Sequence, residues 1–121
     1  MFDLTSDEAR LLLSVALMAT GQNRFQSATR ILAALERFRP SSEPLAVAKT
    51  VLMLSMREDA LALDFIDGDA LVRHPDSAML RTFRGIALIR MGRKDEAREC
   101  LLAAAGSSDA AAANLAKGLL S

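Results

Sequence analysis

The side chains that most often carry out catalysis or bind metals are scarce in this sequence. It holds a single histidine, His74, and a single cysteine, Cys100. His74 precedes a proline in a turn-like segment, and Cys100 lies inside a helical run. Neither has acidic residues at metal-ligand spacing. We expect His74 to be structural and Cys100 to pack as a small apolar residue, and we predict no metal site.

Other catalytic patterns are also missing from the sequence. No Ser–His–Asp set, glycine-rich phosphate loop or pair of buried carboxylates can be assembled from it. The two polar segments that contain glycine, 21–23 and 92–94, have the composition of turns rather than of phosphate cradles. The sequence therefore predicts a protein that is not an enzyme, has no catalytic residues and requires no cofactor.

The composition of the chain excludes further classes of function. The chain has 121 residues, of which 51% are hydrophobic, and its fifteen basic and fifteen acidic residues cancel. A net charge near zero argues against nucleic-acid binding, which needs a basic surface. The longest apolar run, 11–19, is far shorter than the ~20 residues of a membrane span. The first ten residues are acidic and lack the basic start of a signal peptide. We expect a cytoplasmic protein without membrane insertion.

Hydrophobic spacing predicts helices throughout the chain. Their expected bounds are 7–20, 25–38, 43–56, 60–72, 78–90, 95–105 and 109–120. We expect Ser6 and Ser42 to be N-caps, and we expect the run 67–69 to interrupt the fourth helix because Gly68 disfavours it. The first helix is apolar on more than one face, which is typical of a helix that is central or that holds a partner.

Small residues recur in these helices with a fixed period. The first set is Ala16, Thr50 and Gly85, the second is Ala28, Ala62 and Ala97, and the third is Leu32, Ile66 and Leu101. Each set repeats after 34 and then 35 residues, which is the tetratricopeptide (TPR) period. We predict one all-α, TPR-like domain over 1–121. It would be a right-handed solenoid of three hairpin units, 7–40, 42–75 and 77–106, with a capping helix at 109–120. The alternative is an unrelated antiparallel bundle in which alanines recur by chance.

In such a solenoid the first helix of each pair lines the concave side. The register predicts a partner-binding groove whose residues are Leu13, Leu17, Val47, Val51, Phe83, Ile86, Ile89 and Arg90. An apolar groove of this kind suits an amphipathic helix. The alternative is that many of these side chains belong to the core.

Charge is unevenly distributed along the second half of the chain. Six acidic residues fall between 58 and 76, and six basic residues fall between 81 and 98. The simplest interpretation is a set of ordinary surface ion pairs between neighbouring helices. A second interpretation is that Arg81, Arg84 or Arg90 contacts an acidic partner.

Several stretches resemble the TPR-like chaperones of bacterial type III secretion needle subunits. They are the run 70–76 (ALVRHPD), the helix that ends at 90–92 (RMG), and the turn 106–109 (GSSD). The opening run 14–17 with Gly21, and the run 31–35 that leads to Pro40, are also similar. A related family of plant-pathogen secretion proteins has similar length and repeats.

This resemblance implies a function in bacterial virulence. Members of the family are cytoplasmic and hold the needle subunit as a monomer, cradling its amphipathic C-terminal helix in the concave groove. A second, very small helical-hairpin co-chaperone usually completes the complex. Two alternatives from other classes stay open. One is a generic TPR adaptor that binds a peptide or protein, and the other is a self-associating structural protein that buries its exposed Leu and Met faces.

Overall fold

The computed structural model describes residues 5–38 and 42–121, and these residues form an all-helical fold. This confirms the all-α part of the predicted fold class. The fourth helix has three consecutive segments, Asp59–Phe65, Ile66–Ala70 and Leu71–Arg73, which we treat together as α4. The helices of the described part are α1 (Ser6–Gly21), α2 (Phe25–Phe38), α3 (Glu43–Ser55), α4, α5 (Ala78–Arg90), α6 (Lys94–Ala105) and α7 (Ala110–Leu120).

Most predicted helix ends agree with the structure to within one or two residues. The bounds of α2 and α5 are as predicted, and Ser42 caps α3 by accepting the Leu45 N–H at 3.2 Å. The expected N-cap of α1 was wrong. Thr5 caps this helix, and Ser6 is its first residue. The sequence also predicts a short arm over 1–5 and an end of α2 at Pro40, Ser41 and Ser42, and of these predictions the parts at 1–4 and 40–41 lie outside the described residues.

Thr5 caps α1 because it can form a reciprocal pair with Glu8. Its hydroxyl accepts the Glu8 N–H at 3.1 Å, and its own N–H donates to the Glu8 carboxylate at 3.0 Å. These two hydrogen bonds form a capping box, which satisfies backbone donors that the first helical turn leaves unpaired. Ser6 has no glutamate or glutamine three residues later, so it cannot form the same pair.

The chain forms two compact units, Met1–Arg57 and Glu58–Ser121. The boundary between them falls between α3 and α4, inside the predicted second hairpin. The single-domain prediction and the stacking of three hairpins into a solenoid therefore stay predictions.

In the first unit, α1 packs against α2, and α3 packs against both. The core of this unit is made of alanines from all three helices and leucines from α2 and α3, including Ala16, Ala28, Leu32 and Leu35. The alanines let the helix axes approach, and the leucines fill the space between them.

In the second unit, α5 packs against α4, α6 and α7. Its most deeply buried large side chains include Ile66, Leu80, Leu88 and Leu101. Gly85 gives the closest approach in this unit, because a Cβ added there would lie 2.8 Å from Leu101 Cγ. Gly85 is therefore a packing residue.

The predicted register is matched by burial and by the turns. All nine residues that define it are buried. Each predicted hairpin turn contains one residue with positive φ, and these residues are Asn23, Arg57 and Gly92 at 61°, 63° and 78°. Their spacings are also 34 and 35 residues. Such residues end helices by turning the chain while satisfying the last carbonyls, so the local structure of the turns repeats with the period of the sequence.

The segment 67–69 interrupts the α-helical hydrogen bonding of α4, as the sequence predicts, but it does not end the helix. The helix continues through Ile66–Ala70 as a π-helical turn, in which the Leu71 N–H donates to the carbonyl of Ile66, five residues back. Gly68 is exposed and a side chain there would contact nothing. The interruption is therefore a change of hydrogen-bond register and not a helix end.

Candidate functional site

The eight predicted groove residues lie on the first helix of each predicted pair, and none of them is buried. Leu17 is 40% exposed and Ile89 is 39% exposed. The other six are half-buried. The same helices bury their small register residues completely or nearly so, with Ala16 and Thr50 at 0%. The predicted groove positions are therefore distinct from the core positions of their helices.

Four of the groove residues belong to the first unit. Leu13 and Leu17 are four residues apart on α1, and Val47 and Val51 are four apart on α3, so each pair shares one helix face. Leu13 packs against the core and also lines a cavity of about 230 Å³. The first unit thus places four aliphatic side chains at positions that solvent can reach.

The other four lie on α5 in the second unit. Phe83, Ile86 and Arg90 follow the i, i+3, i+7 spacing of a single helix face, and Ile89 lies beside it. Arg90 Nη2 is 2.9 Å from Asp59 Oδ1, at the start of α4. The one charged residue of the candidate groove is therefore already paired with an acidic residue of its own unit.

Arg84 also has an acidic partner inside the second unit. Its Nε donates to Asp67 Oδ1 at 2.7 Å, and its Nη1 donates to the Cys100 sulfur at 2.8 Å. The hydrogen bond that Arg84 donates to Asp67 is the main reason why the pKa of the Arg84 guanidinium is raised. Arg81 makes only a long contact, 3.5 Å from its Nη1 to the Ser77 carbonyl. Arg84 and Arg90 therefore form ion pairs with neighbouring helices, which is the simpler of the two interpretations of the charge distribution.

A second cavity, of about 490 Å³, lies beside this Arg84–Asp67 pair. The residues that line it are Asp67, Leu71, Val72, Arg81, Arg84, Glu99, Cys100 and Ala103. The Cys100 side chain is only 9% exposed, and a guanidinium, which cannot act as a base, is its hydrogen-bond partner. The arrangement holds α4, α5 and α6 together and does not form a nucleophile–base pair.

His74 lies in the turn between α4 and α5. Its N–H donates to the carbonyl of Ala70 at 2.9 Å, and its own carbonyl accepts the Ser77 N–H at 3.1 Å. Within the described residues, no three His, Cys, Asp or Glu side chains are grouped so that they could hold a metal ion. His74 contributes to the chain reversal through its backbone.

A further apolar surface was not singled out from the sequence. Leu11, Val15 and Met18 on α1 are 65%, 40% and 62% exposed and follow the i, i+4, i+7 spacing of one face. The sequence signal was available, because the breadth of the apolar stripe on α1 indicated a partner. Distinguishing this face from the groove face required knowing which side of α1 the first unit covers.

None of the helices in 5–38 and 42–121 combines the length and the apolar character that crossing a membrane would require. No protein-family model matches the chain, and a search of curated protein sequences gives no significant match. The description of the site therefore rests on the residues and their geometry.

Proposed function

We propose that this protein is a cytoplasmic chaperone of bacterial type III secretion that binds an amphipathic helix of a needle subunit. In the proposal, α1 to α6 stack as three TPR-like hairpins, α7 caps the array, and the first helices line a concave groove. The observation that carries it is the exposure of the predicted groove residues. Seven aliphatic or aromatic side chains at those positions are half-buried or exposed, although the helices that hold them have well-buried cores.

The physical role of such a groove follows from what a polymerising subunit presents. A subunit that assembles into a filament carries an apolar helical face, and an uncovered apolar face of this kind leads to association. Laying that helix between Leu17, Val51 and Ile86 would remove its apolar side from water. Burial of apolar surface contributes about 25 cal/mol per Å², which offsets the entropy lost when the two proteins associate.

The alternative adaptor function would use a basic clamp for an acidic peptide end. Arg84 and Arg90 already contact Asp67 and Asp59, at 2.7 Å and 2.9 Å. Recruiting either guanidinium would require breaking a pair that lies within the second unit. Two of the three candidate clamp arginines are therefore already paired, which favours an amphipathic helix over an acidic peptide.

The experiment is co-expression of the full chain with the needle subunit encoded in the same genome. We expect a soluble complex in which the needle subunit stays monomeric. Val51→Asp and Ile86→Asp should each abolish it, because a carboxylate would be desolvated against the apolar helix. Leu61→Asp is the matched control, because Leu61 is 52% exposed on α4 and lies outside the groove.

The binding mode has its own readout. An apolar contact should depend weakly on salt, whereas an arginine clamp should weaken as salt screens it. A complex that survives both groove substitutions, or that Leu61→Asp disrupts equally, would contradict the groove. Failure of the needle subunit to form any complex, together with recovery of a non-secreted peptide ligand, would favour the adaptor.

A further inference from the structure

The outer face of α1 carries exposed apolar side chains that the proposed function does not use. We define this α1 outer face by Leu11, Val15 and Met18. The buried side of the helix carries Ala16, Ala19 and Thr20, of which Ala19, four residues after Val15, borders this face. The α1 outer face is also separate from the groove side that carries Leu13 and Leu17, because every residue of one set lies at least about 100° from every residue of the other around the helix, at about 100° per residue.

The equivalent face of the other two first helices is covered. Adding 34 residues to Leu11 and Met18 gives Leu45 and Leu52 of α3, which are 4% and 7% exposed. They belong to the core that α2 helps to form in the first unit. A register position that is core in α3 is therefore exposed to solvent in α1.

The same comparison holds for α5 in the second unit. Adding 69 residues to Leu11 and Met18 gives Leu80 and Ala87, and both are 0% exposed. Here α4 is the covering helix, and the Arg84–Asp67 ion pair fixes it on this side of α5. In both units, the helix that precedes a first helix in the chain packs on this face.

The residue at the centre of this face is apolar in α1 but basic in α3 and α5. In α3 it is Lys49, whose Nζ is 2.9 Å from Glu36 of α2, and in α5 it is Arg84, paired with Asp67 of α4. In α1 the same position is Val15, which is 40% exposed. A helix that covers α1 thus needs no acidic residue at its centre and instead needs an apolar one.

We propose that the α1 outer face binds the same face of a second copy of this chain, in an antiparallel helix pair. The face is self-complementary. A two-fold axis at Val15 places Val15 against its own copy and Leu11 against Met18, as an isologous contact requires. The 16 residues of α1 give a contact about 24 Å long.

Charge selects the antiparallel orientation. Asp7 lies one turn before Leu11 on the same face, and Arg24 follows the C-terminus of α1. In an antiparallel pair the acidic end of each helix approaches Arg24 of the other copy, and the two helix dipoles oppose each other favourably. In a parallel pair the acidic ends would lie together, and like charges would repel.

The first test is the mass of the full chain in solution by sedimentation equilibrium. A single pair of helices is a small interface, so we expect a monomer–dimer equilibrium with a dissociation constant of about 1–100 μM. A mass that stays monomeric up to millimolar concentration would overturn the proposal.

The second test uses charge at the two-fold axis. Val15→Arg and Val15→Asp each place two like charges in contact, so each variant should weaken the dimer by at least about tenfold. An equimolar mixture of the two variants should associate again, because the charges then become opposite. Since residue 15 is solvent-exposed in the isolated chain, both variants should fold, which circular dichroism checks.

Val72→Arg is the matched control. Val72 is 68% exposed on α4, so the added charge should leave dimerisation unchanged. A dimer that persists in Val15→Arg, or a mixture that fails to associate, would overturn the contact. Needle-subunit binding should be the same for Val15→Arg and the wild type, so this proposal and the proposed function fail in different experiments.

Discussion

Gly85 offers the sharpest test of the packing in the second unit. It lies in the middle of α5, and a Cβ built there would be 2.8 Å from both Cγ and Cδ2 of Leu101. Leu101 is 2% exposed on α6, so its side chain cannot move into solvent to make room. Gly85→Ala should therefore force α5 and α6 apart or push Leu101 out of its rotamer.

The magnitude combines two opposing effects. Adding a methyl group to a well-packed core costs about 1–3 kcal/mol. Replacing glycine by alanine inside a helix stabilises it by up to about 1 kcal/mol. We expect the free energy of unfolding to fall by about 1 kcal/mol, which for a chain of this size lowers the melting temperature by about 4 °C.

Urea denaturation followed by circular dichroism measures this change, and Gly118→Ala is its control. Gly118 is a helical glycine in α7 of the same unit, and a Cβ there would contact nothing within 4 Å. This variant should be as stable as the wild type or more stable by up to about 1 kcal/mol. A Gly85→Ala protein that matches Gly118→Ala in stability would refute the close approach.

A double-mutant cycle assigns the cost to the named contact. Leu101→Ala alone should lower the free energy of unfolding by about 2–5 kcal/mol, because it opens a cavity. In that background the added methyl group has room, so Gly85→Ala should become neutral or stabilising. If Gly85→Ala costs the same in both backgrounds, its effect does not come from Leu101.

Three further predictions concern caps and charges. Ser77→Ala removes the hydroxyl that accepts a backbone N–H of α5 at 3.2 Å, and it should lower the free energy of unfolding in urea by about 1 kcal/mol; an unchanged value would contradict this cap. Asp67→Asn removes the partly exposed ion pair with Arg84, so it should cost about 0.5–1 kcal/mol, and the loss should shrink in molar salt; an undiminished loss would point to packing instead. The hydrogen bond from the backbone N–H of Thr5 is the main reason why the pKa of Glu8 lies below its usual value, and the Thr5 hydroxyl adds a smaller effect in the same direction. The stability that this lowered pKa contributes is fully present at pH values above the pKa of Glu8 in the unfolded chain. It is lost as the pH falls through the pKa of Glu8 in the folded protein. Glu8→Gln should therefore reduce the acid-induced loss of α1 helicity, and an equal loss in both proteins would exclude this carboxylate.

The helices could be predicted from the sequence because their signals are local. Apolar spacing, the cap at Ser42 and the turn glycine at Gly92 act within a few residues of one another, and the bounds of α2 and α5 were predicted to the residue. The cap of α1 was missed because Thr5 and Ser6 are both good N-caps by type. Only the reciprocal bond with Glu8, three residues further on, distinguishes them.

The candidate site could be predicted less completely, because exposure depends on which helices cover a face. The groove residues were chosen by register, and their partial exposure agrees with that choice. The pairing of Arg90 with Asp59 could not be assigned, because several acidic residues of α4 lay within reach of several arginines. The α1 outer face was missed because exposure depends on which helices cover a face. Leu11 and Met18 are apolar residues of the kind found in cores, and they are exposed because no described helix covers them.

The repeat spacing changes from 34 to 35 residues at a position that the structure identifies within α4. The spacing from Leu32 to Ile66 is 34 residues, whereas that from Leu35, which is 3% exposed, to Ala70, which is 1% exposed, is 35. The extra residue therefore enters between Ile66 and Ala70, and this segment is the π-helical turn. A π-turn accommodates one additional residue within an α-helix without ending it. The change of spacing in the sequence indicates that one residue is inserted. Its position could be assigned only from the buried residues that flank it, Ile66 and Ala70. The same turn carries Asp67, so the inserted residue and the ion pair that holds α4 against α5 belong to a single local feature.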